Sequence, residues 1–240
     1  MSVLSGVFIF SAFLYIDQVV YLCYAQIQTA WSIIGGNSMK REEKNQLTRR
    51  RIMDSALAEF AQQGYGASSV NTICAAQGIS KGIIYHYFDT KDGLYLACVG
   101  ECFERLTEFL RTNSPVEGSV EAQLEGYFSA RMEFFRTHPV YQSIFCEAVI
   151  SPPAHLTAEI GDRKQAFDDL NIHILERLLQ SLPLRPGVTM AEVVDTFRQF
   201  QDFINATERT QDFGLRDRRC KKALDILLYG VVAREDDRHV

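Results

Sequence analysis

The sequence predicts an all-α protein of about nine helices. A three-helix N-terminal module with a helix-turn-helix is followed by a larger helical domain. Three observations predict it. From Thr48 onward, apolar residues recur at intervals of three and four. The stripes are punctuated by Ser, Thr, Gly and Pro at helix-boundary positions. Two short stripes, 70–77 and 81–87, are joined through Gly78. The 240 residues and 47% hydrophobic content suffice for one or two packed domains.

The first helix is expected over about 48–63, with Ile52, Ala56, Leu57, Phe60 and Ala61 on one face and Gly64 at its end. Ser68 and Ser69 are N-cap candidates for the second helix, where Val70, Ile73 and Cys74 line one side. Gly78 supplies the turn, and Ser80 caps the third helix, Lys81 to Tyr87. A fourth helix is expected over about 91–112, a fifth over 119–137 and a sixth from Tyr141 to Ile150. A seventh follows over 157–181 and is broken by Leu182-Pro183-Leu184-Arg185-Pro186-Gly187. Thr189 and Glu192 form a capping box for an eighth, 190–210, and a ninth runs over about 217–234.

Charge and composition divide the chain in three: 1–38, 39–95 and 96–240. Residues 1–38 are apolar and carry only Asp17. The run Val3 to Ile16 is short for a membrane span, and no Lys or Arg precedes it as in a signal peptide. Gly35-Gly36 can be encoded by the core of a bacterial ribosome-binding sequence, at a fitting distance before Met39. The expectation is therefore that 1–38 is translated leader and that the native start is Met39. Residues 39–95 carry eight Lys/Arg against six Asp/Glu, whereas 96–240 carry 17 against 23. A mildly basic module thus precedes an acidic remainder, and a net charge of −5 excludes a bulk polycation. The six cysteines form no CxxC pair and suggest reduced thiols in a cytoplasmic protein; no metal site is expected.

The row Tyr85-His86-Tyr87-Phe88 points around the whole third helix. Ile84 and Phe88, four apart, can both enter the module's core with Ile79. The rows Lys81/Tyr85 and Gly82/His86 are then exposed. Gly82 costs about 1 kcal/mol against Ala in a helix interior, and close approach of another surface explains it. A DNA major groove fits: Lys81 stands at the end of the helix that reaches base edges, and Tyr85 and His86 can bond phosphates or bases. Lys91, Thr48 and the Arg49-Arg50-Arg51 run can reach phosphates.

The segment from about Thr48 to Ala97 resembles the DNA-binding domain of the tetracycline-repressor (TetR) family of transcriptional regulators. The resemblance runs through Ile52, Ala56-Leu57, Phe60-Ala61, Gly64-Tyr65, Ser68-Ser69-Val70, Ile73, Ala76, Gly78-Ile79-Ser80-Lys81-Gly82, Tyr85-His86-Tyr87-Phe88, Lys91 and Leu94. It implies a helical homodimer on a palindromic DNA operator, released by a small-molecule effector, with no cofactor. It also implies that Lys81, Gly82, Tyr85, His86 and Tyr87 meet DNA and that Lys91 binds phosphate. The expected DNA-binding set is Thr48, Arg50, Ser69, Ser80, Lys81, Gly82, Tyr85, His86, Tyr87 and Lys91. Cys74, Gln77 and Ile83 depart from the small or polar residues usual there, which leaves the base preference open.

In the larger domain, Phe103, Tyr127, Phe128, Phe135, Tyr141, Phe145, Glu147 and Phe167 are candidates to line an effector pocket. An aromatic and acidic lining would favour an apolar or cationic effector. Phe197 and Phe200 on the eighth helix, with Leu224, Leu227, Leu228 and Val231 on the ninth, form stripes suited to pairing with a second copy. Two other readings remain: a membrane-anchored regulator using 1–38, and a helical protein-interaction module without DNA binding. An enzyme is not expected: no phosphate loop, HExxH or GxSxG is present.

Overall fold

A computed structural model describes residues 40–180, 182–207, 222, 223, 225–227 and 230, with the side chains of 201 and 203–207 left aside. The expected leader, 1–38, and most of the expected ninth helix lie outside the described residues, including Leu224, Leu228 and Val231. The chain divides into two units at Arg51/Ile52. In the first unit, residues 40–51 are helical.

The second unit begins with α1, residues 52–67. Ile52, Met53, Ala56, Leu57 and Phe60 are its buried stripe. Gly64, expected to end this helix, has φ 72°, yet the helix runs through it without a break to residue 67. Helix α2 is Val70–Gln77 and α3 is Lys81–Tyr87, with the predicted bounds. Each starts as its cap residue dictates. Ser69 Oγ accepts from the Asn71 N–H at 3.2 Å, and Ser80 Oγ from the Ile83 N–H at 3.4 Å. Between them Gly78, at φ 62°, ends α2 in the left-handed region while its own N–H returns to the Ala75 carbonyl.

Helices α4 (Lys91–Asn113), α5 (Val120–Thr137), α6 (Pro139–Ile150), α7 (Thr157–Leu179) and α8 (Met190–Thr207) follow. Thr90 and Ser119 cap α4 and α5 through the N–H groups of Gly93 and Ala122. The Thr189/Glu192 capping box forms: Glu192 Oε2 accepts from the Thr189 N–H at 2.9 Å, and Thr189 Oγ1 from the Glu192 N–H at 3.3 Å. Helix α4 is central, packing on α5, α6 and α7, while α8 lies against α6 and α7. One apolar core runs from Ile52 on α1 to Phe197 on α8. Gly126 lets the loop before α5 approach closely: a Cβ there would stand 2.3 Å from Pro115 Cγ. No helix among the described residues is long and apolar enough to cross a membrane.

Candidate functional site

Helix α3 is anchored by two residues. Ile84 and Phe88 are buried, with Ile79 beneath the turn. The four-residue spacing that places them inward turns Lys81, Gly82, Tyr85 and His86 outward, and all four are exposed. Ile83, also outward, leaves an apolar side chain 43% exposed. Tyr87 is half-buried, its ring 5.3 Å edge-on from His86. Lys81 Nζ hovers 5.8 Å from the Tyr85 ring centroid. A Cβ built on Gly82 meets nothing within 4 Å, so no internal contact calls for a glycine there.

The other expected contact residues have duties inside the protein. Ser69 and Ser80 are caps, and the Ser69 N–H also donates to Glu59 Oε1 at 2.9 Å. Lys91 Nζ donates to the Ser68 carbonyl at 2.8 Å and lies 4.5 Å from the Tyr65 ring centroid. It ties α4 to the α1–α2 connection. In the first unit, Thr48 Oγ1 donates to the Lys44 carbonyl at 2.8 Å, and Arg50 stands on the same helical stretch.

The expected pocket residues meet in the middle of the larger domain. Phe103, Phe145 and Phe167 form a triangle with ring centroids 5.4–6.1 Å apart, and Phe135 lies 5.1 Å from Phe145. Tyr127 packs edge-on against Phe128, and Tyr141 donates to Glu101 Oε1 at 2.5 Å. All seven aromatics are buried. Glu147 is different. It leaves this cluster and faces α1, where Oε1 accepts the Tyr65 N–H at 2.7 Å and Oε2 accepts the Tyr95 hydroxyl at 3.0 Å. The physical reason is that two donors from the α1–α4 side offer the carboxylate partners that the phenyl rings cannot. Burial, then the Glu147 charge, pushes the Tyr95 hydroxyl up. Phe197 is wholly buried within its own chain, so it does not present a free face for pairing; Phe200 and Leu227 are half-buried.

Sequence reasoning missed Arg131. It is 0% exposed, among the aromatics. Its guanidinium lies 4.9 Å from the Phe145 ring and 4.8 Å from that of Phe167. Nη2 donates to Asp202 Oδ1 at 2.6 Å. Nε and Nη1 are buried with no hydrogen-bond partner among the described residues. Beside it the Tyr127 hydroxyl donates to Asn171 Oδ1, while Asn171 Nδ2 donates to the Phe167 carbonyl at 2.9 Å. Burial pushes the Tyr127 hydroxyl up. A signal was present: Arg131 lies four residues after Tyr127 and four before Phe135, on one helix face. Among the described residues, no group of three or more His, Cys, Asp or Glu is placed to hold a metal.

Three kinds of likeness bear on this arrangement. The profile described as "Bacterial regulatory proteins, tetR family" matches residues 52–98, spanning α1, α2, α3 and the start of α4. The HTH-type transcriptional repressor AcnR of Corynebacterium glutamicum is 30% identical over 159 residues, covering 60% of this chain and 82% of AcnR. The HTH-type transcriptional regulator RutR of Escherichia coli O157:H7 is 23% identical over 185 residues, covering 74% and 85%. Among solved structures, Bacillus subtilis FadR in complex with stearoyl-CoA superposes with a TM-score of 0.64 at 18% identity, covering 76% of this chain and 98% of FadR. The ketosteroid regulator KstR2 of Mycobacterium tuberculosis gives 0.56 at 22% identity, covering 77% of this chain. The helix-turn-helix module and the helical domain behind it define a DNA-binding transcriptional regulator. The chain belongs to the TetR family.

Proposed function

We propose that this regulator is a homodimeric repressor that binds a roughly palindromic operator and is released by a small-molecule effector. The observation that carries it is α3: Ile84 and Phe88 hold the helix, while Lys81, Gly82, Tyr85 and His86 stand exposed beside one another. Two such helices, one from each copy, would enter successive major grooves. Tyr87, Ser69 and Ser80 join them at the DNA, and Lys91 does so after leaving Ser68. Thr48 and Arg50 of the first unit are, taken by themselves, further candidates for phosphate contact.

On this reading, residues 39–95 read DNA and 96–240 bind the effector and pair. Phe200 and Leu227 offer half-buried apolar surface for that pairing. AcnR is a repressor by name, and FadR holds stearoyl-CoA in the same fold; together they favour a ligand-released repressor, and an operator on bacterial DNA would place its action in the cytoplasm. An effector that prefers the conformation unfit for DNA shifts the population and frees the operator.

The test is a mobility shift on the DNA flanking the chain's own gene, at two salt concentrations, with a Tyr85→Ala/His86→Ala double variant beside it. A shift that weakens steeply with salt and disappears in the variant supports the reading. A shift that the variant retains removes α3 from the interface.

A further inference from the structure

We infer that the effector is an amphipathic anion, whose carboxylate is bound by Arg131 and whose apolar body lies among Phe103, Phe145 and Phe167. This rests on the effector-released reading above and narrows its ligand class.

The argument starts from what Arg131 lacks. A buried guanidinium carries five N–H donors and must find acceptors for them. Asp202 takes one at 2.6 Å, and two aromatic faces take part of the charge. Nε and Nη1 keep none among the described residues. A core needing only volume there would be better served by Met or Leu, since a half-satisfied buried cation is worse than an apolar residue. The two donors call for oxygen acceptors, and a guanidinium favours a carboxylate among these because charge-assisted hydrogen bonds are the stronger ones.

The surroundings supply the rest of the ligand's description. The rings around the guanidinium are buried, so the body of the molecule is apolar or aromatic. The rings touch one another here, so binding must part them. Asp202, whose side chain is 14% exposed, marks the end of the site nearest solvent. Asp202 also competes with an incoming carboxylate, by charge and for the same guanidinium. A cationic ligand is disfavoured because the open positions of Arg131 are donors, which offer it no acceptor, and Glu147, the acidic group expected in the lining, is turned to α1.

The test uses the full chain and a panel of straight-chain carboxylates of four to twelve carbons plus phenylacetate, each beside its neutral amide. Binding is read by calorimetry and by thermal shift. At least one acid is expected to bind about ten-fold or more tighter than its amide. That preference should vanish in Arg131→Met. Asp202→Asn, which removes the competing charge, should tighten acid binding several-fold, an outcome that a purely structural ion pair does not give. Equal binding of acid and amide, a preference retained in Arg131→Met, or no bound acid overturns the proposal. If Arg131→Met does not fold, Asp202→Asn decides alone: weaker or unchanged acid binding overturns it. A mobility shift of the unmodified protein with and without the bound acid separates the two readings. DNA binding with no acid bound sinks only the anion site, whereas acid binding that leaves the DNA complex intact sinks only effector release.

Discussion

The carboxylate of Glu147, on α6, accepts the backbone N–H of Tyr65, just past the left-handed Gly64 of α1, at 2.7 Å. Its second oxygen holds the Tyr95 hydroxyl of α4. One side chain thus joins the helix that ends in the module's first turn to two helices of the larger domain. Phe145, two residues earlier on α6, lies against Arg131. Movement of α6 at the aromatic core has a direct mechanical route to α1.

Glu147→Ala should destabilise the fold by about 1–3 kcal/mol, because it strands the buried Tyr95 hydroxyl and a backbone donor. Glu147→Gln keeps an acceptor for Tyr65 and should cost less. Urea midpoints of the three proteins check this. If α6 transmits effector binding, the Gln variant should also need more effector for half-release of DNA.

Gly64→Ala should be destabilising by about 1–2 kcal/mol. Two effects add: φ 72° disfavours a Cβ, and that Cβ would stand 3.0 Å from Glu147 Oε1. Combined with Glu147→Ala, the second effect disappears. The double variant should therefore lose less stability than the sum of the singles, measured as a thermodynamic cycle.

Gly82→Ala should leave stability unchanged or raise it by up to about 1 kcal/mol, since the site is open and alanine favours helix. The same change should weaken operator binding if the helix backbone comes close to DNA. Thermal denaturation beside a mobility shift tests both halves. A variant with full operator affinity would show that the glycine serves no close approach.

Tyr65 sets an alkaline limit. Burial, then the hydrogen bond to Asp92 and its charge, pushes the phenol up to about 12. In the unfolded chain it ionises near about 10. Its contribution is complete below about pH 10 and is lost as pH rises toward about 12, because the unfolded chain then releases a proton that the folded one keeps. Tyr65→Phe should flatten the fall in stability across that window. Tyr95 and Tyr127, also pushed up, retain part of it. An unchanged slope in denaturation series would exclude Tyr65 as a source.

Gly126→Ala should cost about 1–3 kcal/mol by overpacking against Pro115, with its Cβ at 2.3 Å from that ring. Pro115→Ala should recover much of the loss when combined with it, as followed by thermal midpoints.

The helices were legible because their signals are local. Ser69, Ser80 and the Thr189/Glu192 box announce helix starts through bonds spanning two or three residues. The inward pair Ile84/Phe88 follows from helical period alone. What the sequence hid are partnerships across long separations. Glu147 reads as one more polar residue two positions after a Phe, and only the fold brings Tyr65, 82 positions away, to its oxygen. Lys91 reads as a phosphate ligand because its charge is visible, whereas the Ser68 carbonyl that holds it is not. Arg131 was overlooked for the opposite reason: an arginine among aromatics reads as the solvent side of a helix until its burial is seen.

The cysteines of the described residues are unequal in a useful way. Cys98, Cys102 and Cys146 are buried, and burial pushes the Cys102 thiol up, while Cys74 on α2 is half-buried. Maleimide chemistry under native conditions should therefore single out Cys74 among these four, placing a fluorophore one helix away from α3. The molecule carries a built-in attachment point from which occupancy of its own helix-turn-helix can be watched in real time.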